Sequence, residues 1–304
     1  MTPFNLIAII GPTATGKSRL AALLAQRINA EIISADSRQV YRSMNLGTGK
    51  DYANYIVDGK PVPYHLLDIV EPGEEYNVFR FQQDFFNAFN DIQARGKMPI
   101  LCGGTGMYIE AVLDNYNLMQ VPANWELRNL IGQKSLHELA EMLTQMKPVH
   151  NTTDTIDRER AIRAIEIAVY EKENQPICPS HPVIRPLIFG IALDRSMVRE
   201  LITQRLQQRL EQGMIDEVKS LITKGISTEK LDFYGLEYRY ISRYIAGRIS
   251  YDEMFGQLNT AIHQFAKRQM TWFRRMEKRG FIITWINGDL FDTERMATIL
   301  CRLQ

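Results

Sequence analysis

The sequence predicts an α/β fold: a parallel sheet with helices on both faces, plus an all-helical insert. Three observations lead there. Short β-branched apolar runs alternate with amphipathic helical segments in both halves of the chain, as in a sheet whose strands are joined by crossover helices. The first run ends in Gly11-Pro-Thr-Ala-Thr-Gly16-Lys17-Ser18, a GxxxxGK[ST] segment between a strand and a helix, which makes the sheet P-loop NTPase-like. Between Asn124 and Glu173 the periodicity is helical throughout.

Asn5–Ile10 reads as the first strand, and Ser18–Ile28 as a helix with Leu20, Leu23, Leu24 and Ile28 on one side. Glu31–Ser34 is a second strand, Pro99–Cys102 a third that again ends in glycines, and Leu187–Leu193 a fourth. Phe79–Ala94 has an amphipathic helical pattern; its phenylalanines and the HLLDIVEP segment at His65–Pro72 read as packing. Helices at Leu136–Met146 and Thr155–Tyr170 fill the insert. Asn174–Pro186 (NQPICPSHPVIRP) is too proline-dense for regular helix or central strand and reads as the return linker. Residues 1–123 and 187–304 therefore form a core with a helical C-terminal part, and 124–186 form the insert and its linker. Ser196–Gln212 and Met214–Lys224 are helices stopped by Gly213 and Gly225. Ser250–Lys278 is a longer helix in which His263 reads as a packing contact.

A chain of 304 residues is long enough for one large domain, or one with a smaller companion. An apolar share of 45% and a charged share of 23% are those of an ordinary globular protein. With 36 Lys and Arg against 35 Asp and Glu the chain is near neutral, so nucleic-acid binding turns on local clustering of basic residues. The three cysteines, Cys102, Cys178 and Cys301, form no CxxC pair and no zinc-ligand grouping, which leads us to expect a reduced, cytoplasmic protein without a structural metal. No apolar run approaches the roughly 18 residues of a membrane span, and the N-terminus lacks the basic flank of a signal peptide. Nothing demands more than a monomer.

The chemistry is concentrated in four segments. In a P-loop the backbone amides and the following helix N-terminus point at phosphate oxygens, so Gly11, Pro12, Thr13, Ala14, Thr15, Gly16, Lys17 and Ser18 are expected to bind a phosphorylated or pyrophosphorylated small molecule. Lys17 supplies a point charge, and Ser18 is the expected ligand of an accompanying Mg2+. The second segment runs from Ser34 to Tyr41. It puts Asp36 at a strand's C-terminal end, where it either accepts a proton from a nucleophile or merely caps a turn. The third, Gly103-Gly-Thr105-Gly-Met-Tyr108, places small residues and a hydroxyl at another strand end. Three such turns on adjacent parallel strands would converge on one crevice. The fourth is basic: Arg158, Arg160 and Arg163 in DRERAIR, and Lys267, Arg268, Arg274, Arg275, Lys278 and Arg279 beside Trp272 and Phe273. Such clusters are either a solvated helix face or a surface for an anionic polymer.

Taken together, the segments resemble the tRNA dimethylallyltransferases, also called tRNA isopentenyltransferases. The resemblance spans nearly the whole chain in order: GPTATGKS at Gly11, ISADSRQVYRSMNLGTGK at Ile33, HLLDIVEP at His65, PILCGGTGMYIEAVL at Pro99, DRERAIRAIEI at Asp157, YGLEYRYI at Tyr234, ISYDEM at Ile249 and AKRQMTWFRR at Ala266. A P-loop alone is shared with many kinases and ATPases; the ordered set is specific. The resemblance implies transfer of a dimethylallyl group from dimethylallyl diphosphate to the exocyclic amine of the adenosine 3′ of the anticodon, in tRNAs reading codons that begin with U. It implies that the P-loop holds a diphosphate leaving group and Mg2+, that Asp36 is the general base, and that Thr105 and Arg205 orient or neutralise the reacting groups. The tRNA contacts it implies are Asp36, Ser37, Arg38, Gln39, Thr105, Arg128, Glu159, Arg160, Ala161, Ile162, Arg163, Tyr234, Gly235, Leu236, Glu237, Tyr238 and Arg239, with the insert clamping the anticodon stem-loop. Many members carry Gly-Tyr where this chain has Glu237-Tyr238, and the length without a zinc-finger extension matches bacterial or organellar members. The rivals are an adenylate isopentenyltransferase acting on free AMP, ADP or ATP, a P-loop small-molecule kinase, whose short arginine-bearing lid is not found, and a non-catalytic RNA-binding P-loop protein.

Overall fold

The computed structural model describes residues 3–146, 155–174 and 181–303. The parts of the helical and proline-rich readings at 147–154 and 175–180, with Cys178, lie outside the described residues. In chain order the elements are β1 (Leu6–Ile10), α1 (Lys17–Ile28), β2 (Glu31–Ala35), a 3-10 turn (Tyr52–Tyr55), β3 (Ile56–Val57), β4 (Lys60–Pro61), β5 (Tyr64–His65), α2 (Val78–Ala94), β6 (Pro99–Gly103) and α3 (Gly106–Leu113). Then come α4 (Trp125–Ile131), α5 (Leu136–Met146), α6 (Arg158–Glu173), β7 (Pro186–Ala192), α7 (Arg195–Glu211), α8 (Met214–Thr223), α9 (Thr228–Tyr234), α10 (Leu236–Ile245), α11 (Tyr251–Lys278), β8 (Ile283–Asn287) and α12 (Asp292–Leu303).

The main sheet has the order β5-β2-β6-β1-β7-β8, and all its pairings are parallel. The expected strands are therefore its four central members. Of its two outer members, β5 has two residues and little hydrophobic signal of its own, whereas β8 (ITWIN) is a five-residue β-branched and aromatic strand beyond the four expected ones. Both outer strands form because their neighbours offer an open row of backbone groups: Ile283 registers with Ile188, and Tyr64 with Ile32. Alternation along β1 splits the core. Ile7 and Ile9 pack with Leu20 and Leu24 of α1 and Ile299 of α12, while Leu6, Ala8 and Ile10 face the cluster built by α2, α3, α7, α8, α10 and α11. Phe81, Phe85, Phe86 and Phe89 of α2 are buried in that second layer, consistent with a packing role. His263 contacts the Arg199 carbonyl at 3.2 Å and the Thr203 hydroxyl at 3.4 Å, joining α11 to α7.

The chain divides into two compact units, residues 1–116 with 182–304, and 117–181. These limits differ from the 124–186 read from the sequence. Residues 121 and 122 belong with the second unit because their carbonyls accept hydrogen bonds from Arg163, at 2.6 and 3.4 Å. Val183 and Arg185 belong with the first because Asn5 binds both, at 2.8 and 2.7 Å. Within the second unit, Ile131, Leu139, Leu143, Ala161, Ile162 and Ile165 make a small core of their own. Helix α6 begins at Arg158, three residues later than its apolar pattern suggests, where the Asp157 side chain accepts from the Arg160 amide at 2.9 Å.

Candidate active site

Three turns converge on one end of the sheet because β2, β6 and β1 are adjacent and parallel. The first is the P-loop. Gly16, at φ 78°, is the N-cap of α1, a left-handed conformation that favours glycine and turns the chain so that α1 starts at Lys17. Thr15 donates from its hydroxyl to the Pro12 carbonyl at 2.9 Å, and Lys17 Nζ donates to the same oxygen at 2.5 Å. The ammonium is thus folded back over the loop that would hold phosphate. Burial pulls its pKa down to about 8, with Arg205 pushing the same way and Asp36 opposing. The Ser18 hydroxyl lies against the Tyr55 hydroxyl and the Cys102 thiol, and burial raises the pKa of both partners.

The second and third turns lock onto each other. Thr105 donates its amide to the Ala35 carbonyl at 3.2 Å, and its hydroxyl accepts from the Ser37 amide at 3.1 Å. Asp36 Oδ1 accepts from the amides of Arg38 and Gln39 at 2.9 and 3.4 Å. This turn fixes the carboxylate's direction and leaves its second oxygen without a hydrogen bond among the described residues. Both roles left open for Asp36 are therefore compatible: one oxygen caps the turn, the other is available. Gln269 of α11 was not expected. Its side chain accepts from the Thr13 amide and donates to the Gly104 carbonyl, each at 2.9 Å, tying the P-loop to the third turn. A Cβ at Gly104 would lie 2.3 Å from Gln269 Nε2, so only glycine admits this bridge.

The remaining wall comes from α7. Arg205 reaches Asp51 at 2.7 Å, the Gly49 carbonyl at 3.2 Å and the Thr13 hydroxyl at 3.5 Å. Arg209, one helical turn on, is buried, lies 3.6 Å from Asp51, and has an Nη2 with no hydrogen-bond partner. Burial, then Arg205, draws its pKa down to about 10. The loop that presents Gly49 and Asp51 is held from beneath. Glu217 accepts from the amides of Asn45, Leu46 and Gly47 at 2.8 to 3.0 Å and from the Tyr238 hydroxyl at 2.7 Å. Gln39 donates to the carbonyls of Thr48 and Gly49, and buried Lys50 pairs with Asp68 at 2.6 Å. Asp51, Arg209 and Glu217 carry no motif signal; their roles depend on which loops and helices the fold brings together.

Residues 39–276 match the family model described as IPP transferase, and residues 4–60 match that described as Isopentenyl transferase. The chain belongs to the IPP transferase family. The tRNA dimethylallyltransferase 1 of Parabacteroides distasonis is 54% identical to it over 300 residues, covering 99% of this chain and 98% of that one. The tRNA dimethylallyltransferase 2 of Bacteroides fragilis is 51% identical over 304 residues, covering 100% and 99%. Among solved structures, the tRNA isopentenylpyrophosphate transferase of Bacillus halodurans superposes with a TM-score of 0.70 at 31% identity, over 98% of this chain and 96% of that one. A eukaryotic dimethylallyltransferase acting on tRNA shares the fold, with a TM-score of 0.74 at 22% identity over 93% and 73% of the two chains.

In this IPP transferase the residues expected to meet tRNA fall into distinct groups. Ser37, Arg38 and Gln39 lie partly exposed beside Asp36, with Arg38 stacked 5.1 Å over the exposed Phe233 ring. Tyr234 and Tyr238 are buried, so their side chains hold the fold, whereas Arg239 is partly exposed near Asp232 at 3.9 Å. Gly235 caps α10 and Leu236 packs on the core. Glu237 lines the same cavity as Thr13, Ala14, Arg205 and Arg209. In the second unit, Ala161 and Ile162 are core residues, so only their backbone or neighbours are open to a partner. Arg128 and Arg163 clasp the fully buried Glu166 at 2.6 and 2.9 Å, and Arg158 donates to the carbonyls of Gly132 and Lys134. The exposed members are Glu159 and Arg160. The second basic cluster divides likewise: Arg275 and Arg279 pair with buried Glu110, while Lys267, Arg268, Arg274 and Lys278 face outward.

Proposed function

We propose that this IPP transferase moves a dimethylallyl group from dimethylallyl diphosphate to the exocyclic amine of the adenosine 3′ of the anticodon, in tRNAs reading codons that begin with U. One observation carries the reading. A P-loop with a folded-back lysine, a carboxylate with one tethered and one unbonded oxygen, and a threonine bonded to the carboxylate's turn share one end of the sheet. Leaving-group stabilisation and proton acceptance are thus adjacent.

In the transfer, the allylic C–O bond breaks, a C–N bond forms, the amine proton passes to Asp36 and diphosphate departs. P-loop amides and Lys17 meet the charge that grows on the leaving oxygen. Asp36 matters most as the attacking amine becomes cationic. Arg205, which reaches the Thr13 hydroxyl, would neutralise diphosphate. Ser18 suits a hard cation, because Mg2+ takes few protein ligands and completes its shell from phosphate and water. When bound, the ion adds charge neutralisation at the diphosphate. The target base must leave its stack, a smaller cost in a single-stranded anticodon loop than in a duplex. Partly exposed Arg38 and Arg239 in the first unit, and exposed Arg160 in the second, would each contact the RNA, with Arg128 and Arg163 shaping the second unit from within. No helix among the described residues is long and apolar enough to cross a membrane. We place the protein in the cytoplasm, as a monomer.

The test is transfer of label from dimethylallyl diphosphate to tRNA that lacks the modification. Asp36→Ala should lower the transfer rate by about 100-fold or more and leave tRNA binding largely intact. Labelling of free AMP, ADP or ATP with none of tRNA would move the chain to the adenylate isopentenyltransferases, and phosphate transfer from ATP would make it a kinase. Full activity in the variant would remove Asp36 from the mechanism.

A further inference from the structure

Glu237 occupies an unexpected place for an acid. It stands in the first turn of α10, and its side chain lines the cavity that Thr13 and Ala14 of the P-loop share with Arg205 and Arg209. The residue is partly exposed, and desolvation raises the carboxyl's pKa against the pull of Arg209 and Arg205. The charged and titratable groups facing it are Arg209 and Arg205 from α7, Asp36 and Arg38 from the turn after β2, and Tyr238 beside it. A cavity designed only for maximum hold on an anion would not include an acid among its guanidinium groups. Arg209 Nη2 is buried and makes no hydrogen bond, standing 3.6 Å from Asp51, so its charge is only loosely met within the free protein.

We propose that Glu237 weakens the hold on diphosphate, opposing Arg205 and Arg209 so that the product leaves after each transfer. The proposal rests on the P-loop holding diphosphate. Loop amides, Lys17 and two arginines would grip the liberated diphosphate at least as firmly as its ester, and slow product release commonly limits turnover. A carboxylate in the same low-dielectric cavity acts on both anions, most strongly on the more highly charged product. Protonating the carboxyl removes the opposition, so the effect belongs to the higher-pH range and fades as pH falls.

Titration calorimetry with inorganic diphosphate and Mg2+ tests this on the full chain. At pH 8, Glu237→Gln and Glu237→Ala should bind diphosphate at least tenfold more tightly than the parent, and Glu237→Asp, which keeps the charge, should stay within about threefold. The advantage of the neutral variants should shrink as pH is lowered and the carboxyl takes up its proton, which a purely structural role would not produce. Product inhibition by diphosphate should strengthen by the same factor as the binding. Neutral variants that bind no more tightly than the parent overturn the proposal, as does tightening that is independent of pH. If the parent does not bind diphosphate, or Lys17→Ala binds it equally well, the diphosphate reading itself fails and the proposal falls with it.

Discussion

At the scale of single residues, the informative group is Lys17. Its ammonium bonds to the Pro12 carbonyl, and burial draws its pKa to about 8. A lysine whose folded pKa is drawn down to about 8 is half charged in the free protein at that pH and nearly fully charged only below about pH 7. Diphosphate affinity should therefore be full below that pH and fall above it, by up to about tenfold per pH unit, until protonation must be induced by the ligand itself. Titration from pH 7 to 9.5 would show the decline, and Lys17→Arg, charged throughout, should lose most of it. An unchanged slope in that variant would assign the titration to another group.

At the scale of elements, the site depends on side chains that join pieces distant in sequence. Gln269 on α11 bridges the P-loop and the turn after β6. Gln269→Leu would leave the Thr13 amide and the Gly104 carbonyl without their partner, at a cost of about 1–3 kcal/mol. Thermal unfolding should register that loss, and transfer should slow because the two turns lose their common tie. Glu217 does the same for the loop at 45–47, where one carboxylate satisfies three amides and the Tyr238 hydroxyl. In Glu217→Gln one carboxylate oxygen becomes an amide donor facing amide donors. The loop that aims Gly49 and Asp51 at Arg205 should then loosen, and KM for the prenyl donor should rise several-fold. A variant with parental KM would show that the loop is held by Gln39 and Lys50 alone.

At the scale of the whole molecule, each compact unit carries a buried carboxylate in a basic clasp. Burial would raise the pKa of Glu31, but hydrogen bonds from Arg95, Lys97 and His65 outweigh it and hold the pKa at about 2. Glu166 in the second unit is held at about 2 against the same burial cost by Arg128, Arg163 and the Asn124 amide. A carboxylate with a depressed folded pKa stabilises above its ordinary value near 4.5 and ceases to do so as pH falls through the folded value. Both units should therefore lose stability between about pH 4.5 and pH 2. Glu31→Gln and Glu166→Gln should each cost about 1 to 2 kcal/mol at pH 7, allowing for solvent screening, and almost nothing near pH 2. Melting curves at the two pH values check this, and an equal loss at both would indicate a packing effect instead.

What the sequence by itself determined is what depends on neighbours in the chain. The GxxxxGK[ST] loop, Asp36 and Thr105 were legible because each occupies a turn at the end of an apolar run, and hydrophobic periodicity marks such runs locally. The helices of the second unit were legible for the same reason. The two-residue outer strand β5 was not, since so short an edge strand forms in response to the strand beside it, whereas β8 (ITWIN) does carry a β-branched and aromatic pattern of its own. Nor could periodicity tell a binding arginine from a structural one. Arg158, Arg160 and Arg163 lie in one run, yet two are spent inside the unit and one faces solvent, because only the fold decides where Glu166 and the free carbonyls stand. Gln269, Asp51, Arg209, Glu217 and the placement of Glu237 belong to that second class. Their roles arise from contacts between residues far apart in the chain, and a packed tertiary structure is what brings those residues within reach.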